Sequence, residues 1–430
     1  MSSLALSRYT IYDNISRGIF IVFLPLLQSV FFAKGSLITV ISGNINLVLA
    51  AGLLLWWASA DYRNKSYFAR QKSLSFFKGV FIKREQFVPN KSVHSRFFEQ
   101  SLLQRFFKVA SAYTITADRH SARNNRKVII RASSLPLFFK PYSTKNVTQK
   151  LTEKPQTLPQ TKLFKKSNFR VLLMAIVWSN AAAGLLFLSA AVKNIGRVFG
   201  KEYETLLTSQ MDLSQYIATF GVPPLAAYLS GLILVGFCAA LIMQFLRYFN
   251  LQSVLQGEQL QVTRGLFKKS MFLTEYCKIN CVTIKQSLLM MLLRLESVYI
   301  HTIGSGTVKG DKSLVIPATS PAIARAAVCK LIDCTNTTYT VTPKHKTKLA
   351  LTHSTVIFNS FYRLNRTTFV LPFKKVQSVA ILQNPFQRFF KTCTIKAYVF
   401  AANRKSVRVF GVPIALAKEF VREYENVRKN

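Results

Sequence analysis

Cysteines are the residues in this sequence whose spacing could bind a metal ion. Two pairs, Cys277-x3-Cys281 and Cys329-x4-Cys334, could together offer four thiolates to zinc. The spacing is looser than that of structural zinc sites, and the first pair falls in a segment that we predict to be a strand. We therefore interpret the six cysteines as reduced thiols, and we predict no metal, no cofactor and no disulfide framework.

No other set of residues has the spacing of a catalytic centre. The segment Gly304-x-Gly306 with Lys309 lacks the GxxxxGK[ST] pattern of a phosphate-binding loop, so we interpret it as a hairpin turn. The five histidines show no catalytic spacing, and no pair of carboxylates stands out. We predict that the protein is not an enzyme.

The most suggestive short motif is Gln-Arg-Phe-Phe-Lys, which occurs at residues 104–108 and again at 387–391. It could be a basic and aromatic patch on anionic head groups, where each Lys or Arg contributes about 1 kcal/mol. The interpretation that we favour is a turn with two core aromatics and a solvated arginine. The candidate residues for contact with lipid or a partner are basic residues in and around the motif: Lys91, Arg105, Lys108, Lys162, Lys165, Lys166, Lys374, Lys375, Arg388 and Lys391.

Composition restricts the class of protein that must position these residues. The chain has 430 residues with 58 Lys+Arg against 17 Asp+Glu, a formal charge of +41, yet 50% of its residues are hydrophobic. This combination predicts apolar spans together with basic domains. The aromatic content of 13% argues against disorder. A nucleic-acid binder would explain the charge but not the apolar stretches, so we predict no nucleic-acid partner.

Long stretches without charge predict four transmembrane helices, at about residues 15–34, 38–60, 171–192 and 216–246. Basic residues flank these stretches on one side, which predicts a multi-pass protein of the cell membrane with both termini in the cytoplasm. The charge-free parts of these stretches, 18–33 in the first, contain no Asp, Glu, Lys, Arg or His, which argues against transport. A component of a membrane export or transport complex is the alternative hypothesis.

The sequence contains a threefold internal repeat. Residues 79–107, 265–293 and 362–390 align without a gap. Alternation of apolar and polar residues predicts that each repeat is mostly β-strand. Pro321 and Pro413 each predict the start of a C-terminal helix in the second and third repeats, and prolines degrade this helix in the first.

The third repeat carries Leu371-Pro372-Phe373-Lys374-Lys375-Val376-Gln377-Ser378-Val379, then Gln383 and Gln387-Arg388. This pattern resembles the membrane-flanked bacterial pleckstrin-homology (PH) domain, and the whole arrangement is similar to YdbT-type membrane proteins. The resemblance implies small PH-like β-sandwiches or open barrels with a capping helix. It also implies a non-enzymatic role, a YdbS-like partner with two spans and one PH domain, and a link to resistance against antimicrobial compounds.

We therefore predict a multi-domain membrane protein with four transmembrane helices and three cytoplasmic PH-like domains. Its expected role is a scaffold that contacts proteins, anionic membrane lipids or both, and a homo-oligomer is an open alternative. The predicted parts are a transmembrane hairpin (1–60), PH-like domain one (61–142), a basic linker (143–169), a second transmembrane hairpin (170–250), PH-like domain two (251–335) and PH-like domain three (336–430).

Overall fold

The structure is a computed structural model of the whole chain. It describes residues 2–3, 8–15, 45–69, 73–116, 126–134, 160–178, 224–302, 314–332, 349–351, 355–362, 365–399 and 406–429, with residues 189, 202, 205, 208 and 209. Within these ranges, three similar units follow one another along the chain. Each unit has a first sheet, a 3₁₀ turn, a second sheet of three strands and a short helix after the first strand of the second sheet.

Unit one follows two helices, α1 (Tyr9–Ile15) and α2 (Ile45–Arg63), which pack against each other. A two-residue strand near the amino terminus, β1, adds to its first sheet. For unit one, the prolines predict that a regular closing helix is absent. Most of that segment, residues 135–142, lies outside the described residues. The elements are β1 (Ser2–Ser3), β2 (Ser66–Ala69), β3 (Ser73–Lys78), β4 (Arg84–Pro89), β5 (Val93–Gln100), α3 (Leu102–Phe106), β6 (Val109–Thr116) and β7 (Arg126–Arg131).

Unit two includes a strand from the segment between the units and two helices before its first sheet. The closing helix begins at Pro321 as predicted, because proline fits the first turn of a helix, where no backbone donor is needed. The elements are β8 (Gln160–Phe164), α4 (Asn168–Trp178), α5 (Pro224–Tyr248), β9 (Gln252–Gln256), β10 (Gln259–Arg264), β11 (Lys269–Glu275), β12 (Ile279–Gln286), α6 (Leu288–Leu292), β13 (Glu296–Thr302), β14 (Leu314–Thr319) and α7 (Pro321–Ile332).

Unit three repeats the plan and ends in a longer amphipathic helix. That helix begins directly after Pro413, again as predicted. The elements are β15 (Leu349–Leu351), β16 (Thr355–Tyr362), β17 (Asn365–Pro372), β18 (Val376–Leu382), α8 (Pro385–Phe389), β19 (Thr392–Val399), β20 (Ser406–Pro413) and α9 (Ile414–Lys429).

Neighbouring units share their β-sheets. The second sheet of unit one continues into the first sheet of unit two, giving the strand order β7-β6-β5-β11-β10-β9-β8. The second sheet of unit two continues into the first sheet of unit three in the order β14-β13-β12-β17-β16-β15. All these strand pairs are antiparallel. The two joining pairs, β5 with β11 and β12 with β17, are called the junctions below.

The strand that begins each junction supplies side chains to two hydrophobic cores. In β5, Phe98 packs into the core of unit one and its neighbour Phe97 packs into the core of unit two. In β12, Val282 packs into the core of unit two and Cys281 into the core of unit three. Successive residues of a strand point to opposite faces, so a strand buried on both faces can serve two cores. The units are therefore fused rather than merely tethered.

The prediction of four transmembrane helices is wrong. Among the described residues, one segment, Leu229–Tyr248 in α5, is long and apolar enough to cross a bilayer. Within their described ranges, neither α2 (Ile45–Arg63) nor α4 (Asn168–Trp178) is long and apolar enough to do so. The predicted span at 15–34 lies outside the described residues, apart from Ile15. The described chain is instead mostly β-sheet, and most of its strands lie in the three repeats.

Candidate functional site

The short helix in each unit forms an exposed apolar turn. We call these turns tip one (residues 101–108), tip two (287–294) and tip three (384–391). At equivalent positions, Phe106 is 83% exposed, Leu292 is 77% exposed and Phe389 is 83% exposed. The remaining large exposed apolar side chains of the tips are Leu102, Leu103, Phe107, Leu288, Leu289, Leu293, Phe386 and Phe390.

Local hydrogen bonds fix the shape of each tip. In tip one, the Ser101 hydroxyl accepts a hydrogen bond from the Gln104 backbone N–H (3.3 Å), and the Gln104 side chain accepts one from the Ser101 N–H (3.0 Å). The Gln104 amide also donates to the Ser111 hydroxyl (2.8 Å) and is buried. This capping box satisfies donors that the start of a helix leaves unpaired. The glutamine therefore turns inward while the aromatic side chains beside it turn outward.

Tip three has the same arrangement. The Gln387 side chain accepts a hydrogen bond from the Asn384 N–H (3.1 Å) and donates to the Thr394 hydroxyl (2.8 Å). Tip two replaces this glutamine by Met290, which is fully buried, and keeps the Ser287 cap on the Met290 N–H (3.4 Å). The tip shape therefore does not depend on the exact motif.

A basic residue with a left-handed backbone closes each tip. Lys108, Arg294 and Lys391 have φ angles of 51°, 51° and 49°, and all three side chains are exposed. Left-handed backbone is uncommon outside glycine and ends a short helix abruptly. As a result, every tip carries a positive charge directly beside its exposed apolar side chains.

Tip one is fastened to the hairpin that connects β10 and β11. The Arg105 guanidinium donates a hydrogen bond to the Leu266 carbonyl (2.6 Å). That hairpin is in turn bonded to the end of α5, because the Leu266 N–H donates to Leu246 (3.1 Å) and the Gly265 N–H donates to Phe249 (2.7 Å). Tip one, the hairpin and the last turn of the most apolar helix therefore lie together.

The other candidate basic residues lie in three further places. Lys162, Lys165 and Lys166 are exposed on and just after β8. Lys91 and Lys374 are exposed on the 3₁₀ turns of units one and three. These five residues are not part of the tips, and the motif residues Arg388 and Lys391 lie on tip three.

The third place is the contact between the 3₁₀ turns. Lys375 donates a hydrogen bond to the Cys277 carbonyl of unit two (2.7 Å), so it joins two units. A cavity of about 390 Å³ opens there and is lined by Lys374, Lys375, Tyr276 and Val427 among others. Burial, and to a smaller degree the positive charges of Lys278 and Lys375, lower the pKa of the nearby His94.

The structure shows whether the aromatic side chains of the Gln-Arg-Phe-Phe-Lys motif are buried in a core or exposed. The prediction that both are core residues is wrong, since Phe106, Phe107, Phe389 and Phe390 are all exposed. Sequence reasoning missed tip two, because Met and Leu replace Gln, Arg and Phe there. The gap-free alignment of the repeats was the signal that could have found it.

The two cysteines of the first proposed zinc pair differ in environment. Cys277 is exposed and Cys281 is buried, and Cys334 lies outside the described residues. Within the described part of the chain, no group of three or more candidate metal ligands lies together. The segment around Gly304 also lies outside the described residues.

Three fused units, each with two sheets and an apolar tip, define a tandem array of PH-like domains. Comparison of the sequence with protein families agrees: the bacterial PH domain matches residues 20–140, 213–331 and 312–428. The chain belongs to the bacterial PH domain family, which is typically a non-catalytic module for interaction. No curated protein and no solved structure matches it.

Proposed function

We propose that the protein is a non-enzymatic scaffold attached to the cell membrane, whose tips contact the surface of an anionic bilayer. The observation that carries this proposal is the repetition of an exposed apolar turn with a basic residue in all three units. Soluble surfaces rarely expose so many large apolar side chains together without a binding role.

The energetics of the tips favour a membrane as their partner. Transfer of a Phe or Leu side chain from water to an apolar environment contributes about 1.5–3 kcal/mol. Each nearby Lys or Arg adds about 1 kcal/mol at an anionic surface. A tip that offers Leu103, Phe106 and Lys108 therefore combines both contributions.

The position of tip one supports the same partner. The hairpin that holds Arg105 is hydrogen-bonded to the last turns of α5, and α5 contains the segment long and apolar enough to cross a bilayer. If α5 enters the membrane, its end at Tyr248 lies near the membrane surface. Tip one then lies at the depth of the lipid head groups.

The test uses the full chain in lipid nanodiscs. Phe389→Trp introduces an indole at the most exposed position of tip three, and Phe410→Trp, at a 61% exposed position on β20, is the matched control. The nanodiscs contain brominated lipid, which quenches tryptophan only on contact, and they are prepared with and without anionic phosphatidylglycerol.

We expect quenching of the Phe389→Trp indole above that of the unsubstituted chain, stronger in anionic than in neutral nanodiscs. The Phe410→Trp indole should remain unquenched in both. Equal quenching at the two positions, or none at residue 389 in anionic lipid, would contradict the proposal. The predicted YdbS-like partner, the link to antimicrobial resistance and the alternative export role stay predictions that this experiment does not address.

A further inference from the structure

The two junctions have the same register. In the first, Gln100 lies opposite Lys269 and Phe98 lies opposite Met271. In the second, the equivalent Gln286 lies opposite Arg366, and Ile284 lies opposite Thr368. When the repeats are superposed by sequence, five of the six residue pairs between β5 and β11 match the five pairs between β12 and β17. One unit therefore recognises the next through a reproducible interface, formed twice within this chain.

Unit three presents the first half of this interface, and no strand among the described residues pairs with its outer edge. In the order β18-β19-β20, β18 is an edge strand within the described part of the chain, whereas its counterparts β5 and β12 are internal. Ile381 is 42% exposed, while the equivalent Ile284 and Phe98 are 7% and 4% exposed. The side chains themselves are similarly apolar, so the difference follows from the lack of a neighbouring strand on this side of β18 among the described residues.

The sequence of β18 is unusual for an edge that faces water. Val376–Leu382 has no charged residue and no proline, and its register shift between Val376 and Ser378 recurs at the equivalent place in the paired strands β5 and β12. Natural edge strands are normally protected by charges, proline or bulges that prevent pairing with another chain. The outer edge of β18 has the composition of a strand that is paired.

Unit one presents the other half of the interface. In the order β1-β2-β3-β4, β4 is the outer strand among the described residues, whereas its counterparts β11 and β17 are paired with the preceding unit. Phe87 of β4 is 55% exposed, while the equivalent Val370 in the second junction is fully buried. The two ends of the described array are thus complementary halves of one interface.

We propose that β18 of one molecule pairs with β4 of a second copy of this chain, in the register of the two internal junctions. Leu382 then lies opposite Arg84, Ile381 opposite Glu85 and Val379 opposite Phe87. The interface is head-to-tail, so it builds open chains or rings of molecules rather than closed two-fold dimers.

Directional cross-linking of the full chain tests this proposal. One copy carries Ile381→Cys and a second, differently tagged copy carries Glu85→Cys, both in a background where the exposed Cys238 and Cys277 are serine. Residues directly opposite in an antiparallel pair have Cβ atoms about 4.5–5.5 Å apart, close to the range for a disulfide. Phe410→Cys replaces Ile381→Cys in the control, because β20 is the opposite edge of the same sheet.

We expect the mixture of Ile381→Cys and Glu85→Cys chains to form at least about tenfold more mixed disulfide than the control mixture, because only the first pair is placed opposite. Equal linkage with Phe410→Cys, or linkage of Ile381→Cys chains mainly to one another, would overturn the proposal. So would linkage of Ile381→Cys only to a different membrane protein.

A measurement without cross-links keeps the test independent of disulfide chemistry. The assembly size of the full chain in mild detergent is compared with that of Ile381→Lys and of the matched control Phe410→Lys. A lysine on the edge should reduce the protein to single molecules, while the control keeps the parent distribution. An unchanged distribution for a folded Ile381→Lys chain, checked by its unfolding midpoint, would overturn the proposal. This outcome is independent of lipid contact by the tips.

Discussion

Lys278 of unit two donates a hydrogen bond from its ammonium group to the backbone carbonyl of Val93 in unit one, over 2.7 Å. One repeat later, Lys375 of unit three donates to the backbone carbonyl of Cys277 in unit two, two residues before the counterpart of Val93. The lysine is the last residue of the 3₁₀ turn in both cases. Unit one has Ser92 at this place, and the described residues show no unit before it that a lysine could reach.

Replacement of Lys278 by methionine should weaken the first junction. A partly buried hydrogen bond from a charged donor contributes about 1.5–3 kcal/mol, so the unfolding midpoint of the full chain should fall, and limited trypsin digestion near residues 93–100 should accelerate. Lys269→Met, at an exposed position of β11 in the same junction, is the control and should have little effect. Equal effects of the two substitutions would contradict the role of Lys278.

His94 should make stability depend on pH. Its pKa is lowered from the usual 6.5, mainly by burial and then by Lys278 and Lys375. The unfolded chain therefore takes up the proton near pH 6.5 while the folded chain still resists it, so this contribution to stability is complete above that pH and declines as the pH falls.

The matched variant is His94→Gln, because unit three has Gln377 at this position. The unfolding midpoint of the variant should fall less than that of the parent between about pH 8 and pH 5.5, the range that spans the ordinary histidine pKa. Parallel pH profiles for the two proteins would show that His94 does not supply this dependence.

Gly265 should tolerate no side chain. Its φ is +100°, and a Cβ atom there would lie 2.1 Å from the backbone oxygen of Lys268. Gly265→Ala should therefore displace the hairpin that holds tip one and destabilise the protein by more than about 1 kcal/mol. Gly52→Ala is the control, since nothing lies within 4 Å and the residue is inside a helix, where alanine gains about 0.5–1 kcal/mol. Comparison of the two unfolding midpoints tests the prediction.

We expect Gln104 to stabilise the backbone of tip one rather than to contact a lipid or a partner. Gln104→Met introduces the residue type found in tip two, but it removes the capping bond and leaves the Ser111 hydroxyl without this donor. We expect a loss of about 1–2 kcal/mol in the free energy of unfolding. Addition of Ser111→Ala should recover part of that loss, and a purely additive double substitution would contradict the explanation.

Phe106→Ser should separate folding from membrane contact. Phe106 is 83% exposed, so its loss should leave the unfolding midpoint in detergent within the error of the parent value. Binding of tip one to anionic nanodiscs should nevertheless decrease, which quenching by brominated lipid of a neighbouring Leu103→Trp indole would report. A large loss of stability would show that Phe106 belongs to a core.

The repeat was predictable from the sequence because it rests on identities at a fixed offset. Three PH-like units, the closing helices after Pro321 and Pro413, and the strand character of each repeat all follow from local patterns. The number of transmembrane helices was not predictable in this way. A charge-free run shows only that a segment could enter a membrane, and among the described residues one helix segment, Leu229–Tyr248 in α5, is long and apolar enough to do so.

Neither the exposure of the tips nor the fusion of the units could be predicted from the sequence, and the reason is the same for both. From the sequence alone, a Phe-Phe pair such as Phe389-Phe390 is expected to lie in a core. Only the backbone conformation determines that these side chains are exposed. Similarly, β5 alternates in a way that fits one buried face, and its second buried face depends on β11, far away in the chain. Local patterns specify strands, but they do not specify which strand lies beside them.

The fusion of the units has a consequence for synthesis on the ribosome. The Thr274 hydroxyl donates to the His94 carbonyl across 180 residues of chain. At about 5–20 residues per second, translation leaves β5 without its neighbour for roughly 10–40 s. During that interval Phe97 has no core to enter, so the emerging chain exposes an apolar strand edge. The nascent protein therefore needs protection, by a chaperone or by the nearby membrane, until unit two arrives.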